Sequence, residues 1–247
     1  MIRVMVTAPK GKMGRLIIKN IMDCDDLKLT GVLGPKGRDY IGLDAGVVAG
    51  LGRDTGVLVD DKVETMIEDC DVIIDFSTVE TSMKMVETAV AHRKAFVCGG
   101  TGFTEEQEKV FLGAAESIPI LRANNTSYMI NLMKKLIRMS GIALGGKCKI
   151  DVIDMHDEYK LDSPSGTAKD FGKAVKPMEV EYHSIRSGDI PSSHIVIFGG
   201  KGERLEISHH AYNWECFAAG ACDGARFLHG CPVGYYTMDD VVEGSIK

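Results

Sequence analysis

Residues 149–174, KIDVIDMHDEYKLDSPSGTAKDFGKA, gather more residue types able to do chemistry than any other stretch of the 247-residue chain. Residues 149–154 largely alternate apolar and charged side chains, the period-two pattern of a half-buried strand. His156 and Lys160 come where that strand ends, so a proton donor and a fixed positive charge are offered together. The next segment predicts a helix start, with Ser163 as N-cap, Pro164 at the first helical position and an apolar-periodic run beyond. The first turn of a helix leaves its N–H groups without intrahelical acceptors. Here those of Ser165, Gly166 and Thr167, with two hydroxyls and the positive end of the helix dipole, make a site for a carboxylate or phosphate. Gly166 has no Cβ to keep such a ligand from the backbone. An ordinary capped helix after a charged loop carries the same local pattern, and the two readings stay open at this level.

Elements earlier in the chain point to a second ligand. Residues 2–7 form a short, β-branched apolar run, and Gly11-Lys12-Met13-Gly14 leads from it into apolar residues at helical spacing. A second strand at 27–33 completes strand, glycine turn, helix and strand, the start of a dinucleotide-binding unit. Read as G-x-x-G-x-x-G, the turn has Ala8 first, while Gly11 allows close approach of a pyrophosphate and Gly14 close packing of helix on strand. A plain tight turn is the competing reading. After the second strand no acidic residue awaits the adenosine ribose; Lys36 and Arg38 instead suit a 2′-phosphate, unless they are merely solvated. Strands at 71–76 and 95–98 then alternate with helices at 63–68, 79–91 and 104–115. Their ends carry Asp75-Phe76-Ser77-Thr78 and Gly99-Gly100-Thr101-Gly102-Phe103, where a parallel sheet would receive a nicotinamide. A strand at 119–122 and a polar turn at 124–127 precede a helix over 128–144.

From residue 147 strands dominate, at 149–155, 180–186, 194–198 and 203–208, with helices after Ser165 and over 214–228. Strands without intervening helices predict an antiparallel or mixed sheet in a second, α+β domain. A last helix at 238–243 is expected to return to the first domain.

Composition excludes several classes. The chain is 45% hydrophobic and 26% charged, with a formal net charge of -6, which argues against a nucleic-acid surface. No apolar run reaches the roughly 18 residues of a membrane span, and the N-terminus shows no signal-peptide pattern. Seven cysteines, without a C-x-x-C pair, suit a reducing cytoplasm. His156-Asp157-Glu158 and His209-His210 contain metal-ligand types at no recognised spacing, and neighbours on extended chain point apart, so no metal is assigned.

Ordered motifs then carry a resemblance through most of the chain: GKMG at 11–14, IDFST at 74–78, GGTGF at 99–103, NNTS at 124–127, KLDSPSGTA at 160–168, RSGDI at 186–190, GERLEISH at 202–209 and YTMDDV near the end. The sequence resembles the 4-hydroxy-tetrahydrodipicolinate (dihydrodipicolinate) reductases of lysine and diaminopimelate biosynthesis. The resemblance implies an α/β fold: a Rossmann-type parallel sheet in residues 1–126, rejoined by 231–247, and an α+β substrate-binding and oligomerisation domain with a mixed sheet in 127–230. It implies a cytoplasmic homotetramer that uses NADPH or NADH to reduce a cyclic dicarboxylate. His156 and Lys160 would be catalytic, and Ser165, Gly166 and Thr167 would bind substrate. Ala8, Gly11, Lys12, Met13, Gly14, Lys36, Phe76, Ser77, Gly99, Gly100, Thr101 and Asn125 would bind the cofactor.

The chain departs from the family pattern near these positions. Asp157 stands where the family has a second histidine, Ala8 at the first glycine of the nucleotide loop, and Gly100 where threonine is common. Met129 and Gly34-Pro35 are further departures. The competing functions are a related reductase acting on another imino or keto acid, and a nucleotide-binding regulator without turnover. A regulator would have little use for His156 and Lys160 beside an anion site.

Overall fold

The computed structural model describes residues 1–245. In chain order its elements are β1 (Ile2–Thr7), α1 (Lys12–Met22), β2 (Leu27–Leu33), α2 (Ala45–Ala49), β3 (Val59–Asp60), β4 (Val72–Asp75), α3 (Val79–Ala91), β5 (Ala95–Cys98), α4 (Glu105–Ala114) and β6 (Pro119–Arg122). There follow α5 (Tyr128–Leu144), β7 (Lys149–His156), α6 (Gly166–Ala174), β8 (Glu181–Arg186), β9 (Ser192–Gly199), β10 (Arg204–Ala211), α7 (Glu215–His229), β11 (Gly234–Tyr236) and α8 (Met238–Gly244). The chain divides into two compact units, one of Met1–Ser127 with the residues from Glu215 onward, the other Tyr128–Trp214.

The first unit is built on a seven-stranded sheet in the order β11-β6-β5-β4-β1-β2-β3, with every pairing parallel. A parallel sheet covered by helices buries both faces, and β4 and β5 are accordingly buried at every residue. Strand order reverses between β1 and β4, so the crevice beyond their carboxyl ends is where such a sheet takes a ligand. The helix expected over 63–68 is two short 3₁₀ turns, Val63–Thr65 and Ile67–Asp69, separated by Met66 at φ -132°. Helix α2, with its Asp44 cap, and the short strands β3 and β11 carry too little periodicity to be foreseen. Helix α7, read from the sequence as part of the second domain, lies in the first unit.

The second unit carries a four-stranded mixed sheet, β10-β9-β7-β8. β7 runs parallel to β8 and antiparallel to β9, which pairs antiparallel with β10. One face of this sheet forms a core with α5 and α6, in which Ile130, Met133, Ile137, Ile150, Val152, Phe171, Val196 and Phe198 are buried together. The alternation of β7, with Ile150, Val152, Asp154 and His156 inward, turns two ionisable groups toward the covered face. Burial of such groups is costly unless they are partnered.

Candidate functional site

In the second unit the site begins at the end of β7. His156 is the last residue of that strand and is 8% exposed. Its Nδ1 lies 3.2 Å from Asp154 Oδ2, yet the atom has no hydrogen-bond partner of proper geometry, so the contact is electrostatic and misaligned. The His156 ring meets His194 of β9 edge to face at 5.3 Å. Burial lowers the His156 pKa, and the Lys160 ammonium lowers it further, against the raising effect of Asp154. His194 is wholly buried, and burial with the neighbouring His156 takes its pKa down to about 3. It is a neutral ring, edge-on to Phe171 at 5.6 Å, with Ser165 Oγ 3.5 Å from Nε2 and Ser192 Oγ 3.4 Å from Nδ1.

The helix start lies two residues later than the sequence pattern predicts. Ser165, not Ser163, is the N-cap of α6: its backbone is extended at φ -63° and ψ 158°, and its hydroxyl accepts from the Ala168 N–H at 3.2 Å. Pro164 precedes the cap rather than occupying the first helical position. Both serines satisfy the cap preference, and only the reach of the hydroxyl to the N3 amide decides between them. Gly166 and Thr167 therefore form the first turn, with Gly166 exposed and open space where a Cβ would be. Lys160 Nζ pairs with Asp162 Oδ1 at 2.7 Å. The hydrogen bond from Lys160 holds the Asp162 carboxyl below the usual carboxylate range, helped by the Gly166 N–H. A carboxylate already sits between the lysine and the helix start, so the cradle is suited to an anion of the same kind.

Asp157, the departure beside His156, directs its Oδ1 to the Tyr159 N–H at 3.0 Å. That oxygen is engaged within its own loop. Asp154 and Arg186, which local sequence pattern did not single out, back the site: Asp154 is wholly buried and accepts from Ser184 Oγ at 2.5 Å and Arg186 Nη2 at 3.0 Å. Burial raises the Asp154 carboxyl, but the Ser184 hydrogen bond and the Arg186 guanidinium together hold it below its ordinary value. The inward phase of an Asp and a His two residues apart on β7 was the signal available for this.

In the first unit the expected nucleotide residues lie beyond the carboxyl ends of adjacent strands. Ala8 follows β1, Lys36 follows β2, Phe76 and Ser77 follow β4, Gly99, Gly100 and Thr101 follow β5, and Asn125 follows β6. Gly11 caps α1 with no side-chain hydrogen bond, and no acidic residue lies in the first turn. This donor set fits a phosphate, which would complete amides that a side chain usually caps. Lys12 and Met13 lie in that turn, and at Gly14 a Cβ would fall 2.1 Å from the Ala8 carbonyl oxygen, so helix and turn approach as closely as glycine allows. Ala8 itself adopts φ 52°, the left-handed conformation that glycine takes without strain.

Asp75, at the switch point, is a buried carboxylate that accepts from Thr7 Oγ1 at 2.5 Å, Ser77 Oγ at 2.6 Å and the Ser82 hydroxyl. It ties the ends of β1 and β4 to α3. Gly99 is required by Phe76, whose ring would lie 2.0 Å from a Cβ. Lys36 and Arg38 are exposed, and the amide between them, that of Gly37, is held by Asp61 at 3.0 Å. Lys10, which the sequence reading did not consider, lies over the Tyr40 ring at 5.1 Å. Among the described residues, Asp151, Glu181 and His183 bring possible ligand atoms within 4.8 Å of one another, and the close 2.7 Å contact there is the hydrogen bond between His183 Nε2 and Asp151 Oδ1. No described helix is long and apolar enough to cross a membrane.

Comparison with known proteins bears on the family of the chain. Residues 2–126 match the family model for the N-terminus of dihydrodipicolinate reductase, and residues 129–242 that for its C-terminus. Curated 4-hydroxy-tetrahydrodipicolinate reductases from Hahella chejuensis and Psychrobacter arcticus are 33% and 36% identical, each over 98% of this chain and over 99% and 95% of their own lengths. A solved dipicolinate-bound dihydrodipicolinate reductase from Paenisporosarcina sp. TG-14 shares the fold at a TM-score of 0.80 and 23% identity, covering 96% of this chain and 97% of its own. With both units matched in order along nearly the whole length, the chain belongs to the dihydrodipicolinate reductase family.

Proposed function

We propose that this protein reduces 4-hydroxy-tetrahydrodipicolinate to tetrahydrodipicolinate with NADPH or NADH, as a step of lysine and diaminopimelate biosynthesis. The observation that carries the reading is the juxtaposition at the end of β7, where His156 and Lys160 adjoin the capped start of α6. The reduced nicotinamide supplies the hydride when bound, and the protein holds the ring and supplies a proton. Ser165, Gly166 and Thr167 bind one substrate carboxylate, which displaces Asp162 from Lys160. His156, with Nδ1 toward Asp154, presents Nε2 as the acid. Burial disfavours its charged form, and an arriving dianion offsets that penalty, so substrate binding and protonation of His156 are coupled.

The first unit takes the dinucleotide at α1. Gly11, Lys12, Met13 and Gly14 receive the pyrophosphate beside Ala8, and Lys36 meets a 2′-phosphate when NADPH is used. Phe76, Ser77, Gly99, Gly100, Thr101 and Asn125 line the nicotinamide end. The second unit is the substrate-binding and assembly domain of a cytoplasmic homotetramer. Supporting that assembly, Ile185 is exposed on the sheet face away from α5 and α6. Against a different imino acid as substrate stands the turn of Asp157 Oδ1 toward the Tyr159 N–H of its own loop.

The test is a coupled assay in which a synthase makes the cyclic intermediate from pyruvate and aspartate semialdehyde and oxidation of NADPH and NADH is followed. Synthase-dependent oxidation is expected, and its absence with both nucleotides would refute the assignment. His156→Ala should lower kcat by roughly 10²–10⁴-fold with little change in KM.

A further inference from the structure

Beside the proposed acid lie a wholly buried carboxylate, Asp154, and a partly buried guanidinium, Arg186. Asp154 lies two residues before His156 on the same face of β7, and its Oδ2 is shared between Arg186 Nη2 at 3.0 Å and the approach of His156 Nδ1 at 3.2 Å. Arg186 is the register partner of His156 on β8, and its side chain is 17% exposed. The same Nη2 donates to the Asp162 carbonyl at 2.6 Å, while Nη1 donates to the Ile185 carbonyl at 2.8 Å. One guanidinium thus reaches the carboxylate that faces His156 and the backbone of the residue whose side chain holds Lys160. A buried ion pair is poor evidence of stability, since apolar groups of similar volume often serve as well. What this pair does supply is fixed geometry between a strand end and a loop.

We infer that Asp154 and Arg186 are positioning residues for the reaction: Asp154 holds the His156 ring with Nδ1 inward, and Arg186 ties that carboxylate to the Asp162 carbonyl so that the acid and the loop from Lys160 to Thr167 keep one arrangement. The inference deepens the role proposed for His156 and rests on it. The charged and titratable groups around the His156 ring are Asp154 on its own strand, Arg186 on β8, His194 on β9 and Lys160 from the loop, with His209 of β10 behind His194 at 6.5 Å.

The experiment reads the ring and the turnover separately. In wild-type enzyme, long-range proton–nitrogen NMR of His156 should show the neutral ring protonated on Nδ1; a ring protonated on Nε2 would overturn the inference. Asp154→Asn should lower the His156 pKa by about half a unit or more, as loss of a charge at this distance requires. It should also reduce kcat about ten-fold with KM within about three-fold, the pattern of an interaction used in the transition state. Arg186→Gln should lower kcat and raise KM together. Arg186→Lys should recover kcat but not KM, because an ammonium restores charge opposite Asp154 without reaching both acceptors. An unshifted His156 titration in Asp154→Asn, or equal kcat for the two Arg186 variants, would refute it. If Asp154→Asn does not fold, the wild-type tautomer and the two Arg186 variants decide. The NMR measurements need no turnover, so a His156→Ala enzyme of normal kcat would remove the catalytic reading while leaving the ring geometry separately tested.

Discussion

Replacing His194 by glutamine should flatten the acid side of the stability profile of the second unit. The ring is wholly buried, and burial with the adjacent His156 lowers its pKa from 6.5 to about 3. Because the folded value is the lower one, the unfolded chain takes up the proton first as acid is added. The contribution is whole above pH 6.5 and is lost progressively as pH falls toward about 3. At pH 5 an unfolded histidine of pKa 6.5 gains about 2 kcal/mol from protonation, against about 0.2 kcal/mol at pH 7, while the native ring stays neutral. The wild-type unit should therefore lose about 2 kcal/mol more than the variant between pH 7 and pH 5. His156 and His209, both also lowered by burial, add slope that the two proteins share. Glutamine keeps a polar group toward Ser165 Oγ. The assay is urea unfolding at pH 7, 6 and 5, followed by emission of the single tryptophan, Trp214, which belongs to this unit. A wild-type-minus-variant difference that changes by less than about 0.5 kcal/mol over this range would refute the reasoning, as would a His194 C2 proton titrating near 6.5 in the folded enzyme.

Ala8→Gly should stabilise the first unit by up to about 1 kcal/mol in denaturant unfolding, since a left-handed alanine costs about 1–2 kcal/mol and glycine returns about half of that through the unfolded chain. Gly99→Ala should destabilise the same unit by about 1–3 kcal/mol and weaken NADPH binding measured by calorimetry, because the Phe76 ring must move from the new methyl group. Asp157→Asn should change kcat/KM on the cyclic dicarboxylate by less than about three-fold, since the Tyr159 N–H already engages that side chain; a gain of ten-fold, about 1.4 kcal/mol, would show the charge facing substrate. Lys36→Ala should weaken NADPH more than NADH, and equal loss in both would remove Lys36 from the 2′-phosphate.

Patterns set by a few neighbouring residues were legible without coordinates. The alternation of residues 149–154, the glycine turn into α1 and most of the longer strands and helices were legible because each depends on local backbone geometry and on which face must be buried. A helix start close after Ser163 was legible for the same reason. The cap itself was displaced by two residues, because Ser163 and Ser165 are equivalent by type and only the reach of a hydroxyl to an amide separates them. Short elements such as β3 and β11 escaped notice, since two or three residues hold too little periodicity and are strands only because a neighbour's edge is there to pair with. What tertiary structure alone decided is the company each ionisable group keeps. Asp154 and Arg186 are 32 residues apart, and His156 and His194 are 38 apart. Parallel pairing of β7 with β8 and antiparallel pairing with β9 bring them to one strand end. Their charge states follow from burial and from neighbours across the sheet, which depend on the strand register, as well as from the sequence neighbours Asp154 and Lys160 around His156.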